Sequence, residues 1–341
     1  MHYADPPITQ STVQPIVIAA FLKMLGVLLP MAVIAIVLGV AIGSVPIAPA
    51  AIWAVFSGRG EPLPTMLLLD LRLPRVLAAF ATGGLLAVAG ALMQVLLRNP
   101  LADPYVLGLS GGAAVGALLA MLAGLGVGVI SGAAFSGALL STLIVFGLAH
   151  GTGSWVPTRL LLTGVVVAAG WGAVISFLLA ISPAAELPGM LYWLMGDLSY
   201  ARNPLLPGIV LLLAALLALP LGRTLNVLAR GPLQAAALGV SVRRMEALVY
   251  VWAALITAVA VTTAGSIGFV GLIVPHILRL IFGFDQRLLL PASALAGGIL
   301  LVLADTLART LIAPEQLPVG VITALLGVPM FLFLFYRSRH S

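Results

Sequence analysis

The chain contains no cysteine and a single lysine, Lys23, among its 341 residues. Without cysteine there is no disulfide framework, thiolate metal site or redox pair. A phosphate-cradling P-loop needs a lysine behind its glycines. Lys23 stands instead in AFLKMLG, inside an apolar run, so the chain does not hydrolyse ATP by that route. Charge of either sign is scarce: 8% of residues are charged, against roughly a quarter in a soluble domain, too few to cover a water-facing surface. Of the 10 acidic residues only Asp305, in LVLADTLARTL, falls within an apolar run. The intramembrane carboxylates usual in proton-driven transporters are therefore nearly missing. The four histidines, His2, His150, His276 and His340, are scattered without zinc-cluster spacing.

What is present is hydrophobic residue, 62% of the chain. A membrane-spanning helix needs about 20 consecutive apolar residues, and such stretches recur from end to end. The chain reads as an all-α polytopic membrane protein with about ten transmembrane helices, near 16–42, 75–97, two between 103 and 159, 160–182, 204–221, two in 247–283, 288–311 and 318–336. Residues 1–15 read as a polar tail and 16–341 as one transmembrane domain. The pI near 10.3 comes from single basic residues between spans rather than from a basic stripe with interleaved aromatics, so nucleic acid is not an expected partner.

Basic residues concentrate in cytoplasmic loops. With the N-terminus inside, ten arginines fall in inner loops and the tail, five (Arg59, Arg72, Arg75, Arg202, Arg309) in outer loops, and Lys23 within a span. Both termini are thus expected in the cytoplasm. Arg72 and Arg75, in LRLPR, lie outside against the trend, with Pro74 expected to start the second span. Snorkelling at the interface or service to a partner would each account for them.

Other segments admit two readings. Asp305 and Arg309 share one helical face, as an ion pair or as a functional carboxylate. Asn99-Pro100 and Asp103-Pro104 enforce extended or turn geometry, either a tight turn or a gate, before the small residues Gly108, Gly111, Gly112 and Gly116, which permit close helix contact. The basic inner loop, about 222–246, holds GPLQAAALGVS, a short helix that is either a surface connector or a docking element. The outer stretch with Met190, Tyr192, Trp193 and Met195 is an aromatic belt or a face for bulky cargo.

RLPRVLAAFATGGLLAVAGALMQVLLRNPLADPYVLGLSGGAAVG resembles the signature of the FecCD permeases, and the likeness continues in GFVGLIVPHILRL, VLADTLAR and LPVGVITALLGVPMF over nearly the whole chain. The resemblance implies the type II ABC importer permease fold. It also implies a homodimer in the lipid of the inner membrane that encloses the pathway for vitamin B12, haem or a ferric siderophore, served by two cytoplasmic ATP-binding subunits and a periplasmic binding protein. ATP and Mg would sit on the partner, and this chain would hold no cofactor. Carried over, the docking arginines fall on Arg72, Arg75 and Arg309, which would receive carboxylates bidentately. The gate falls on Asn99, Leu101 and Thr158, and the ATPase-coupling segment on Gly231, Ala235, Leu238 and Gly239. Pro232, where many members have an acidic residue, and Gln316-Leu317-Pro318, in place of Glu-Leu-Pro, depart from the family pattern. MLYWLMGDLS is closer to the vitamin B12 permeases than to the haem or hydroxamate ones.

Overall fold

A computed structural model describes residues 10–149, 157–201 and 203–338. Within them the chain forms fourteen α-helices: α1 (Gln10–Ala41), α2 (Pro49–Phe56), α3 (Pro62–Thr65), α4 (Leu73–Leu97), α5 (Leu109–Leu122), α6 (Val127–Ala149), α7 (Pro157–Ile181), α8 (Leu187–Met195), α9 (Leu205–Ala229), α10 (Pro232–Ala237), α11 (Val242–Ala264), α12 (Val270–Phe282), α13 (Gln286–Thr310) and α14 (Val319–Ser338). Seven helical runs are long and apolar enough to cross a membrane, and α5, α12 and the apolar part of α14 are shorter apolar helices. This is the expected multi-pass architecture, and ten crossings return the chain to the side on which it began.

The centre of the bundle is α4, buried along nearly its whole length. Its sequence explains why. VLAAFATGGLLAVAGALMQVLL carries alanine and glycine on every side, so neighbours can approach from all directions without the large ridges that would hold them off. A methyl group added at Gly83 would lie 2.2 Å from the Gly297 carbonyl oxygen of α13, and one at Gly90 would lie 1.7 Å from the Gly271 carbonyl oxygen of α12. Backbone therefore meets backbone at both crossings. The expected close contact through Gly112 and Gly116 also occurs: added methyls there would meet the carbonyls of Gly137 and Ala133 on α6 at 2.3 and 2.2 Å.

Several boundaries differ from those read in the sequence. Pro74 does not start the second span. A π-helical turn, Met66–Arg72, joins α3 to α4, so one helical run extends from 62 to 97. Proline cannot donate to the helical ladder and its ring crowds the carbonyl four residues earlier. A widened turn just before Pro74 relieves that crowding. α9 continues past its apolar stretch to Ala229, taking in Arg223, and α11 begins at Val242. The inner loop expected over 222–246 is thus confined to 230–241. Helix α1 begins by Gln10, within the stretch read as a tail. Helices α2 and α8 occupy outer connections that the sequence left irregular. Arg202, His2, His150 and His340 lie outside the described residues.

Gly90→Ala is expected to lower stability by at least ~1–3 kcal/mol, as overpacking does. Gly26→Ala, with nothing within 4 Å of the added methyl, should be neutral or slightly stabilising. Thermal unfolding in detergent reads both, and equal melting temperatures would refute the α4–α12 backbone contact.

Candidate functional site: an arginine cluster and an inner docking helix

At the outer end of α4 the three expected arginines line one cavity, and two of them pair with one carboxylate. The π-helical turn carries Arg72, the first turns of α4 carry Arg75, and α13 presents Asp305 and Arg309 one turn apart. Arg75 donates from Nη2 to Asp305 Oδ1 at 2.8 Å and from Nε to Oδ1 and Oδ2 at 3.1 and 3.2 Å. Arg309 Nε lies 3.0 Å from Asp305 Oδ2. The ion pair read from the spacing of residues 305 and 309 is therefore present. Its second arginine, 230 positions away in sequence, was not foreseen.

The remaining donors also turn inward. Arg75 Nη1 donates to Gln316 Oε1 at 2.8 Å and to Ser199 Oγ at 3.3 Å. Arg309 Nη2 donates to the Gly39 carbonyl at 2.9 Å. Arg72 donates to the carbonyls of Ala41, at 3.0 Å, of Val40, at 3.2 Å, and of Val45. These bonds close the frayed C-terminal end of α1, whose last carbonyls have no helical partner. The three arginines are 7%, 9% and 3% exposed. They are thus structural ties as well as charges, not the free forks that the sequence suggested.

The cluster nevertheless faces a cavity of about 530 Å³, lined by Arg72, Arg75, Arg309, Tyr192, Glu315 and Gln316 among others. Two guanidinium groups, of Arg75 and Arg309, pair with the buried carboxylate of Asp305, Arg72 adds a third positive charge to the wall, and the exposed Glu315 also lines it. The cavity is net cationic and lies where the outer loops converge. Gln316, which departs from the family's glutamate, serves here as a neutral acceptor for Arg75, and its Nε2 reaches Ser44 Oγ at 3.4 Å. A carboxylate at that position would have neutralised one more arginine.

The residues expected to form the gate are less closely assembled. Arg98 ends α4 in a left-handed conformation, φ 49°. Asn99 Oδ1 then accepts from the Leu101 amide at 2.9 Å, and Asp103 Oδ1 from the Tyr105 amide at 2.8 Å, so both Asx-Pro steps form side-chain-closed turns. Pro104–Leu107 make one 3₁₀ turn, and Tyr105 Oη accepts from the Ile267 amide at 3.1 Å. That bond fastens the turn to the break between α11 and α12. Thr158 is exposed in the first turn of α7 rather than in a loop. The middle of α7, at Val167 and Ala168, packs on Gly108, about 14 Å along the helix from Thr158 at 1.5 Å per residue.

At the inner end the short helix expected between spans is α10. Gly231 caps it at φ 112°, a conformation other residues rarely adopt, and Pro232 occupies the first turn. Ala235 is fully buried and anchors the helix, whereas Leu238 is 66% and Leu233 86% exposed. Gly239, at φ 79°, turns the chain back toward α11. The outward face is therefore made by Leu233 and Leu238, and Ala235 belongs to the protein side. Leu233 escaped the sequence reading because nothing local distinguishes its side of so short a helix.

The FecCD transport family model matches residues 31–337. The cobalamin import system permease of Halobacterium salinarum is 44% identical over 77% of this chain and 72% of its own. The hemin transport system permease of Yersinia pestis is 40% identical over 80% and 84%, and an uncharacterised ABC transporter permease of Bacillus subtilis is 40% identical over 90% and 92%. A solved inward-facing ABC transporter assigned to the metal-chelate type superposes with a TM-score of 0.81 at 31% identity, covering 92% of this chain and 99% of its own. The chain belongs to the FecCD transport family: it is a multi-pass permease of an ABC importer, seated in the inner membrane.

Proposed function

We propose that two copies of this chain enclose a pathway for a large metal chelate, delivered by a periplasmic binding protein and driven by two cytoplasmic ATP-binding subunits. The observation that carries the reading is the outer cavity, whose wall holds three arginines, two of them paired with one buried carboxylate, that can receive acidic groups from a partner. Two further features support it. Most of α7 is exposed along an apolar face interrupted by Gly170 and Gly172, which suits close packing against a second copy. Leu233 and Leu238 project from α10 at the inner end, where an energy-supplying subunit would bind. This chain supplies the pathway and its partner the hydrolysis, an externally powered shift between two states.

Cobalamin is the cargo favoured by the 44% identical relative and by MLYWLMGDLS. Helix α8, which contains most of that stretch, places Tyr192 at the cavity wall. Haem is the second reading, on the strength of the 40% identical hemin permease. Uptake of cobalamin, haem and ferric siderophores into vesicles holding the assembled importer discriminates the readings. Cobalamin uptake is expected, and transport of haem alone would transfer the assignment.

Docking is best tested by neutral substitutions, because a glutamate at position 75 would face Asp305 and unfold the site. Arg72→Gln and Arg75→Gln are each expected to weaken capture of the binding protein by roughly tenfold, the effect of losing one charge-assisted contact of ~1.4 kcal/mol. Capture should also weaken as salt rises. Undiminished affinity in folded variants would refute docking at this cavity.

Leu233→Asp with Leu238→Asp is expected to abolish copurification of the ATP-binding subunits while leaving the melting temperature unchanged, since both side chains are exposed. Copurification at the native level would exclude α10 as the coupling surface.

A further inference from the structure

The inner end of the bundle contains a second basic cavity, whose wall includes Pro100 of the turn expected to form the gate and which the coupling helix does not account for. It has a volume of about 550 Å³ and lies among the ends of α4, α9, α12 and α13, lined by Gln94, Arg98, His276, Arg279, Phe284 and Gln286 among others. Among the described residues that line it there is no carboxylate. Of the nearby acids, Asp285 accepts from Arg287 and Asn226, and Glu246, outside the lining, offsets part of the charge of Arg98 through space. Arg279 is held in position, its Nη2 donating to Gln94 Oε1 at 2.7 Å and its guanidinium lying 5.5 Å from the Phe284 ring centre. Its Nε, together with His276 Nδ1 and Gln286 Oε1, is buried without a partner. Such unsatisfied polar atoms in one place are unusual in a folded protein. The mouth is flanked by Leu280, Ile281 and Phe284, 68%, 66% and 76% exposed, a surface suited to acyl chains rather than to water.

We infer that this cavity binds the phosphate of an anionic phospholipid of the cytoplasmic leaflet, between Arg98 and Arg279, with the acyl chains lying along the end of α12. Two arginines with no opposing carboxylate in the wall, at the membrane-facing inner end of several helices, make a headgroup site. The assignment to the cytoplasmic leaflet rests on the distribution of arginines between loops. The site also adjoins the coupling segment. A methyl added at Gly231 would lie 4.0 Å from Arg98 Nη1, so a bound lipid would sit beside the base of α10 and steady it.

Native mass spectrometry of the full chain, released from detergent with phosphatidylglycerol or phosphatidylcholine, tests the inference. The native chain is expected to retain phosphatidylglycerol preferentially. Arg98→Asn, which tolerates the left-handed backbone at that position, and Arg279→Gln should each reduce the preference roughly fivefold. Arg159→Gln, on the same side but outside the cavity, should not. Because Arg98 makes no tie like that of Arg279, its variant keeps the test valid if Arg279→Gln fails to fold. Unchanged preference in Arg98→Asn, or an equal loss in Arg159→Gln, would overturn the site. So would displacement of the lipid by millimolar orthophosphate, which would assign it to free phosphate, or loss of lipid preference once the ATP-binding subunits are attached, which would assign it to their acidic side chains.

Discussion

A single carboxylate fixes the relation between the two most closely packed helices of this protein. Asp305 is fully buried, and an unpaired charge there would cost several kcal/mol. Arg75 from α4 and Arg309 from its own helix supply the compensation. The pairing is also a register mark. From Arg75 to Gly83 is eight residues along α4, and from Asp305 back to Gly297 is eight along α13, so antiparallel helices that join the ion pair also bring the two glycines together, about 12 Å away. A slip by one turn would lose both contacts at once. Small residues permit α4 and α13 to touch, and the ion pair selects which of the permitted alignments they take.

The same two helices carry chemistry at both ends. At the outer end, α4 and α13 hold the arginine cluster. At the inner end, they contribute Gln94, Arg98 and Gln286 to the basic cavity beside α10. An element so tightly embedded moves as a rigid body or not at all, because close-packed interiors do not deform continuously. α4 and α13 thus form a frame, and the parts able to change are those held more lightly. These are α7, exposed over most of its length, and α10 on its glycine hinges at 231 and 239.

Much of this was legible in the sequence because the membrane imposes simple rules. Apolar length marks the spans, and punctuation by Gly-Pro at 231–232 and Asn-Pro at 99–100 marks the connections. The distribution of arginines between loops indicates an orientation and marks LRLPR as anomalous. The spacing of Asp305 and Arg309 revealed a local ion pair. What stayed hidden depended on three-dimensional adjacency. Arg75 and Asp305 meet across 230 positions, and nothing local to either names the other. The continuation of the helix through Pro74 depended on a π-helical turn, for which MLLLDLR carries no distinctive residue. The inward-facing role of Ala235 and the outward one of Leu233 were equally invisible, since a helix of six residues is too short for periodicity to declare a face.

The engagement of the outer arginines within the fold bears on how a partner could use them. A carboxylate arriving at a free arginine gains a contact and disturbs nothing. One arriving here must share donors already given to Asp305, Gln316 and the carbonyls that end α1. Net affinity is thereby reduced, but the contact becomes sensitive to the geometry of α4 against α13 and α1. If any of those helices shifts, the donors available to the partner shift with it. Linkage then requires the converse: a partner that binds one arrangement better favours that arrangement by the same free energy. On the proposed docking, arginines tied into the fold would convey arrival of the binding protein to the helices that frame the pathway, which exposed lysines on flexible stems could not do. The scarcity of lysine in this chain, with arginine at nearly every basic position, accords with charges placed for geometry rather than for solvation.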